Sequence, residues 1–270
     1  MLGCDLKLEQ FVGRTSQRLW RFGGAAFFLI LAMGGGRAAD PSALWHIVND
    51  QCVPDEIRHH DPSPCALVDL SQGVARGYVV LKDIAGATQY LVLPTARIGG
   101  IESAQLLAPD APNFMEDAWE ARRFVAAKVP APLAREDVAL AINSVSGRSQ
   151  DQLHIHVDCL RLDVRAALAR GREVMGDTWQ PFPELLAGKP YLARRVLGDD
   201  LAQVNPFRLV AEVAPDAADH MGQYTLFVAG VTFADGPGFI LLADRADPLH
   251  GDFGSSETLQ DHGCALAKAR

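Results

Sequence analysis

Basic residues are too few to make this a general nucleic-acid binder. Lysine and arginine total 25 against 33 aspartates and glutamates, a net charge of −8, whereas collecting phosphates along a polymer needs a positive field. A local basic pocket for one phosphorylated ligand remains open. The apolar run from Phe22 to Gly36 has 15 residues, five of them glycine, short of the roughly 20 that a spanning helix needs. Low-complexity segments are absent, and 49% hydrophobic with 21% charged residues exclude bulk disorder. No two cysteines stand two to four residues apart, which argues against a cysteine-based metal site. What is there is a chain of 270 residues, enough to bury a real core in one large domain or two small ones.

Ahead of the apolar run stand Arg14, Arg18 and Arg21, and behind it the small residues of Arg37-Ala38-Ala39. Basic region, short apolar region and small residues are the layout of a secretory signal. Length favours cleavage, while Gly36 or Arg37 at the third position before the cut argues against it, so residues 1–40 are read as a signal peptide or a membrane anchor. A buried core helix is the remaining alternative, against which the flanking arginines count. With all three arginines before the run, the N-terminus is expected to stay cytoplasmic and the body, residues 41–270, to be exported.

Cysteine usage agrees with export. Cys4 precedes the run, and Cys52, Cys65, Cys159 and Cys264 lie in the body. An even count in an oxidising compartment suggests two disulfides, for which three connectivities exist. Cys52 and Cys65 flank a turn rich in proline (Pro54, Pro62, Pro64) and are natural partners, leaving Cys159 for Cys264. That second bond would hold the C-terminal segment over the far end of the strand that contains Cys159. Four unpaired thiols are the alternative.

Residues 41–52 read as a short helix with Leu44, Ile47 and Val48 on one face, and 53–76 as turns. Gly77 to Leu81 and Gln89 to Leu93 predict a hairpin. Asn113 to Lys128 carries a helical stripe (Phe114, Ala118, Trp119, Ala121, Val125), with Asn113 as its N-cap. Val138 to Ile142 and Leu153 to Leu160 predict antiparallel strands around a loop rich in Gly and Ser, Asn143 to Gln150. Asp163 to Met175 reads as a helix. Tyr224 to Thr232 and Gly238 to Ala243 predict a second hairpin, which weakly echoes the first, so the part from about 190 is a candidate decayed second half.

The segment that carries chemistry is Ser149-Gln150-Asp151-Gln152-Leu153-His154-Ile155-His156-Val157. Strand alternation puts Gln152, His154 and His156 on one face and Leu153, Ile155 and Val157 towards the core. A solvated polar row is one explanation. A metal site is a second, with His220, His262 or Asp158 as a third ligand, although nothing in the spacing selects one. The third is nucleophilic catalysis on phosphorus. A neutral imidazole with one nitrogen free, and the other held by an acceptor such as a backbone carbonyl, can form a phosphoramidate that water then hydrolyses. The neighbouring loop supplies donors for phosphate oxygens, with Gly147 allowing close backbone approach and Arg148 offering charge.

This run resembles the histidine-triad signature, His-φ-His-φ-His-φ-φ behind an Asn-containing glycine loop. The resemblance puts the nucleophile at His154 and the third histidine at His156. Gln152 stands where the first histidine belongs, a departure from the pattern. Leu81 to Ile98 resembles the nucleotide-binding strand pair of the same superfamily, with Gln89 and Arg97 at positions often occupied by histidine in relatives. Taken with Cys52-x-Pro54, Pro62-Ser63-Pro64-Cys65, Tyr191 to Val196, His220-Met221-Gly222-Gln223-Tyr224 and Gln260-Asp261-His262-x-Cys264, the chain from about 44 to 264 is similar to the bacterial CDP-diacylglycerol pyrophosphatases. The resemblance implies an α+β histidine-triad-like antiparallel sheet with flanking helices, and hydrolysis of CDP-diacylglycerol to CMP and phosphatidate through a cytidylyl-histidine. It also implies a substrate site at Lys82, Gln89, Arg97, Asn143, Arg148, Ser149, Gln150 and Gln152. The chemistry requires no metal or other cofactor. The partners implied are the lipid substrate and a membrane surface, with neither nucleic acid nor protein, at the periplasmic side of a bacterial inner membrane. A silent envelope protein that binds nucleotide or lipid, and a hydrolase or transferase of other nucleotide anhydrides, are the alternatives.

Overall fold

The computed structural model describes residues 40–268, so the expected signal or anchor and Cys4 lie outside the described residues. Among these residues no helix is long and apolar enough to cross a membrane. They form a mixed helical and antiparallel-sheet domain, as the α+β reading expected. Its nine strands are β1 (Leu67–Asp69), β2 (Tyr78–Lys82), β3 (Tyr90–Pro94), β4 (Val138–Ile142), β5 (Ile155–Cys159), β6 (Gln180–Pro181), β7 (Leu192–Leu197), β8 (Tyr224–Phe233) and β9 (Gly236–Arg245). They lie in the order β1-β2-β3-β5-β4-β8-β9-β7-β6, and every named neighbour pairs antiparallel.

Both hairpins and the β4–β5 pair stand where alternation placed them. β5, however, begins at Ile155, because Leu153 is spent on a loop contact, its N–H donating to Ile98 O at 2.6 Å. The strand order contains a repetition that the sequence showed only faintly. Inside the edge strand β1, one half runs β2-β3-β5-β4 towards the centre, the other runs β6-β7-β9-β8 from the opposite edge, and the halves meet at the β4–β8 pair, Leu140 opposite Val228.

The helices are α1 (Ala43–Ile47), α2 (Val53–His59), α3 (Phe114–Ala126), α4 (Leu162–Gly171), α5 (Pro206–Val210) and α6 (Ala265–Lys268). Residues expected to form turns after Cys52 continue the helix. A proline inside a helix clashes with the carbonyl four residues back. A widened π turn, Val48–Cys52, makes room for Pro54, and α2 runs on to a left-handed cap at His60. Asn113 precedes α3 as expected but does not cap it. Its Nδ2 donates instead to Leu201 O at 2.7 Å and Val204 O at 3.1 Å.

The two faces of the sheet are used differently. One packs against α3 as a continuous core with Ile155, Val157, Leu140, Val228 and Trp119, whose ring meets Phe239 edge-on at 4.9 Å. The other is divided. α1 and α2 cover Val79, Leu81, Leu91 and Leu93 at one end. α4 and the C-terminal segment cover Ala139, Ala141, Phe227 and Leu242 at the other. His156 pairs with Leu91 on one side and Ala141 on the other, between these two apolar clusters. The polar face of β5 thus falls in the gap that neither cluster fills.

Both expected disulfides are present, Cys52–Cys65 and Cys159–Cys264. Cys159 belongs to the α3 core, opposite His156, and Asp261 N–H donates to Cys159 O at 2.8 Å. The C-terminal segment is therefore fastened across the far end of the histidine strand. Closing a loop of sequence separation 105 constrains the unfolded chain by about 4 kcal/mol, on the order of 10 °C in Tm for a domain of this size. Cys264→Ser should lower the melting temperature by roughly that amount. An unchanged melting curve would remove the disulfide from any structural role.

Candidate active site

A cavity of about 820 Å³ opens in that gap, lined by His154, His156, Asn143, Glu257 and the loop Ser146 to Gln150 on its polar side. The two imidazoles meet edge to face with centroids 4.9 Å apart. Gln152 O lies 2.6 Å from His154 Nδ1. A carbonyl can only accept, so Nδ1 carries the proton and Nε2 is left with its lone pair. Burial lowers the pKa of His154 and outweighs the opposing pull of the Gln152 carbonyl, so the ring is neutral at pH 7.

His156 is neutral for the same first reason, burial, to which neighbouring His154 adds; together they push it down to about 3. Its Nδ1 lies 2.7 Å from Gln89 Nε2, and the same amide nitrogen lies 3.1 Å from Glu257 Oε1. Only an NH₂ group satisfies both neighbours, so His156 Nδ1 accepts and its Nε2–H faces Glu257 Oε2 at 3.5 Å. Glu257 also accepts from Asn143 Nδ2 at 3.0 Å, while Asn143 Oδ1 accepts from Glu257 N at 3.3 Å.

Behind Glu257 stands an ion-paired relay. His262 Nε2 is 3.4 Å from Glu257 Oε1, and His262 Nδ1 is 2.8 Å from Asp158 Oδ2. Asp158 is wholly buried and also accepts from Thr88 Oγ1 at 2.7 Å. Asp158 first, then Glu257, raises His262 to about 10, so it is a cation at neutral pH. Burial works against the charge on Glu257, but the bonds it accepts, led by His262, prevail and hold the carboxyl well below its ordinary range. The backbone of His262 presses on the β2–β3 turn, where Ala87 N donates to its carbonyl at 2.9 Å. Gly86 sits there at φ +64, and a Cβ would strike His262, so only glycine fits.

The other expected site residues divide. Lys82, Asn143, Arg148, Ser149 and Gln150 line the cavity. Lys82 Nζ is turned onto Asp83 O at 2.6 Å and Gly86 O at 3.1 Å. Arg148 forms a fork with Glu102 at 2.6 and 2.7 Å. Gln150 clamps α1, accepting from Leu44 N at 3.0 Å and donating to Asp40 O at 2.9 Å. Arg97 is not among the cavity-lining residues; it donates to Ser42 Oγ and lies over the Trp45 ring. Gln152 donates to Pro94 O and Ala96 O, both at 3.0 Å. Beside His154 it lines a separate recess of about 10 Å³, room for one water molecule. Gly147 does admit a close backbone approach, but from Gly254 O in the C-terminal segment.

Glu257 was not foreseen, since Ser255-Ser256-Glu257-Thr258 looks like any polar loop; its nearness to Gln260-Asp261-His262-x-Cys264 was the only signal. Asp158 and His262 had been considered solely as possible third ligands to a metal. The structure pairs them with each other, and no group of three or more His, Cys, Asp or Glu able to hold a metal ion occurs among the described residues.

A model of the CDP-diacylglycerol pyrophosphatase family matches residues 39–268. A CDP-diacylglycerol pyrophosphatase of Yersinia pestis is 42% identical over 252 residues, covering 92% of this chain and 95% of the relative.

Two pH dependences follow from the geometry. Because burial lowers His154, the acidic limb of kcat/KM should fall below pH 6.5, and a limb above that value would show a site that protonates like an ordinary histidine. His262 is raised from 6.5, so its pairing contributes stability in full below pH 6.5 and loses it as pH climbs towards 10. The Tm difference between wild type and His262→Gln should therefore be largest near pH 6 and vanish approaching pH 10. A difference that does not shrink with pH would show that the ion pair is not its source.

Proposed function

The chain belongs to the CDP-diacylglycerol pyrophosphatase family, and from that membership we propose that it hydrolyses CDP-diacylglycerol through covalent catalysis by His154. The observation that carries this reading is the hydrogen bond from His154 Nδ1–H to Gln152 O. It fixes the tautomer in which Nε2 is the nucleophile, at the wall of the cavity, in a ring that stays neutral.

His154 Nε2 attacks the cytidylyl phosphorus, the bond to the bridging oxygen breaks, and phosphatidate departs. A phosphate monoester is a good leaving group, so the departure asks little of position 152. The developing charge on His154 is shared with the Gln152 carbonyl through Nδ1–H, and Glu257 lies within the same cavity to favour it. Water then attacks phosphorus and the N–P bond breaks, its electron pair returning to His154 Nε2; the hydroxyl of the water stays on phosphorus in the released CMP, the second proton passes to solvent, and His154 is neutral again. The cations of the cavity are already committed, Lys82 to turn carbonyls and Arg148 to Glu102. The backbone N–H groups of Ser149 and Gln150 make no bond among the described residues and are available to phosphate oxygens.

The strand order of each half supports a histidine-triad-like fold, and its repetition supports reading the part from about 190 as a second half without a site. Two disulfides support an oxidising, periplasmic setting. The basic and apolar stretch before residue 40 supports attachment to, or passage through, the inner membrane.

The test is to trap the intermediate. With CDP-diacylglycerol labelled in the cytidylyl phosphate, wild type quenched in alkali should carry label in an acid-labile bond. His154→Asn should carry none and lose turnover by on the order of 10³-fold or more. Substantial turnover by His154→Asn would dispose of the covalent route.

A further inference from the structure

In the reaction proposed above, the N–H groups of Ser149 and Gln150 serve the phosphate oxygens. Backbone donors stabilise developing charge when they are already aimed at it, so the groups that hold this pair matter to the rate. The loop before it is tied down from the rest of the domain. Ser144 N donates to Gly254 O at 2.8 Å and Val145 N to Gly222 O at 2.8 Å, while Gly147 N and Arg148 N both donate to Ser144 O at 3.1 Å. The Arg148 side chain adds its fork with Glu102.

On the far side of the pair the fastening comes from the other end of the described chain. Asp151 N donates to Pro41 O at 2.7 Å. The Gln150 side chain accepts from Leu44 N at 3.0 Å and donates to Asp40 O at 2.9 Å. Asp40 and Leu44 stand 110 and 106 positions from Gln150. Asp40 and Pro41 are exposed, and neither lines the cavity, so they bear on the site through the loop.

The two partners depend on these bonds to different degrees. α1 has other fastenings. Leu44 and Ile47 pack against the cluster around Val48 and Cys52, and the helix runs on into the turn that holds the Cys52–Cys65 disulfide. The loop has less to fall back on. Without the segment 40–44, Asp151 keeps a 3.4 Å contact from Arg148, a residue of the same loop. The donor pair would then be anchored at Arg148 and next at Gln152, whose side chain bonds Pro94 O and Ala96 O.

We propose that Gln150 is a positioning residue, and that through it and Asp151 the segment Asp40 to Leu44 is a part of the active site. The segment holds the Ser149 and Gln150 N–H groups in the direction of the phosphate oxygens, and the Gln150 amide is committed to the segment rather than to the substrate. The inference rests on the reaction proposed above, and it departs from the resemblance, which puts Gln150 at the substrate.

The experiment uses the full-length protein and CDP-diacylglycerol in mixed micelles. Gln150→Met keeps the length of the side chain and removes both of its bonds. Two glycines inserted between Pro41 and Ser42 displace the Asp40 and Pro41 carbonyls without replacing any residue that lines the cavity. Thermal melts confirm folding, and Pro41→Gly, which loosens the same strut, supplies a milder variant. Gln150→Met and the insertion should each lower kcat about tenfold, the scale of donors that are present but poorly aimed, with KM within about threefold of wild type. Pro41→Gly should follow the same pattern at roughly threefold. Gln150→Met combined with the insertion should stay within about twofold of the larger single effect, because both cut one connection. A loss confined to KM, losses that multiply in the combined variant, or an insertion without effect beside an impaired Gln150→Met would make Gln150 a substrate contact and overturn the proposal. Unchanged kcat with a lowered melting temperature would overturn it as well, since the clamp would then serve α1 alone. Wild type that does not hydrolyse CDP-diacylglycerol would instead refute the reaction, a result visible before any variant is made.

Discussion

A single carboxylate holds the site together. Glu257 reaches into the gap on the sheet and receives Gln89 from β3, Asn143 from the end of β4 and His262 from the C-terminal segment, with His156 of β5 alongside. Those groups are remote in sequence, and no other residue touches them all. A buried charge is tolerated only when its lone pairs are satisfied and an opposite charge stands close. Here the cation is His262, itself tied to the buried Asp158. Satisfying Glu257 forces the Gln89 amide to present NH₂ to both Glu257 and His156, which in turn fixes the proton on His156. The proton on His156, the side-chain orientations around it and the path of the C-terminal segment thus follow from one requirement.

Both imidazoles are neutral; Glu257 favours a positive charge on His154 and Arg148 opposes it, while Asp158 and Glu257 flank the cation His262. In the reaction proposed above, Glu257 would favour the charge that His154 gains on bonding to phosphorus and would disfavour the phosphate itself. The opposing demand falls on the loop after β4. Its backbone donors carry no countercharge that would cancel that effect. Arg148, secured by Glu102 in the space that Gly100 leaves open, shapes that loop.

Much of this was legible because period and chemistry coincide in short segments. Alternation around His154 and His156 located the strand, its core face and the side on which Cys159 lies. The apolar stripe of residues 113–128 located α3. Residues that act across long separations were not legible. Glu257 has no local pattern, and its meaning arises only where four segments meet. Arg97 and Gln150 were expected at the substrate from the resemblance; Gln150 lines the cavity while clamping α1, and Arg97 lies outside the lining, bonded to Ser42. Pro54 fell in the stretch read as turns, but a π turn absorbs it and the helix continues. The repeated strand order shows only faintly in the sequence because its second half closes β8 to β9 with a tight turn at residues 234 and 235, where the first half holds the twelve residues from 143 to 154.

The fastening of residues 257 to 264 onto β5 also bears on when the protein becomes competent during its own synthesis. The strand that holds His154 and His156 is complete about a hundred residues before the segment that supplies Glu257 and His262, since Cys159 and Cys264 are 105 positions apart. Contacts of such separation form late, after the loop between them has been closed. A nascent or prematurely terminated chain would hold His154 and His156 in a sheet with an unsealed edge of polar groups, but without Glu257 or His262. The network around Glu257 is thereby completed only at the final stage of folding.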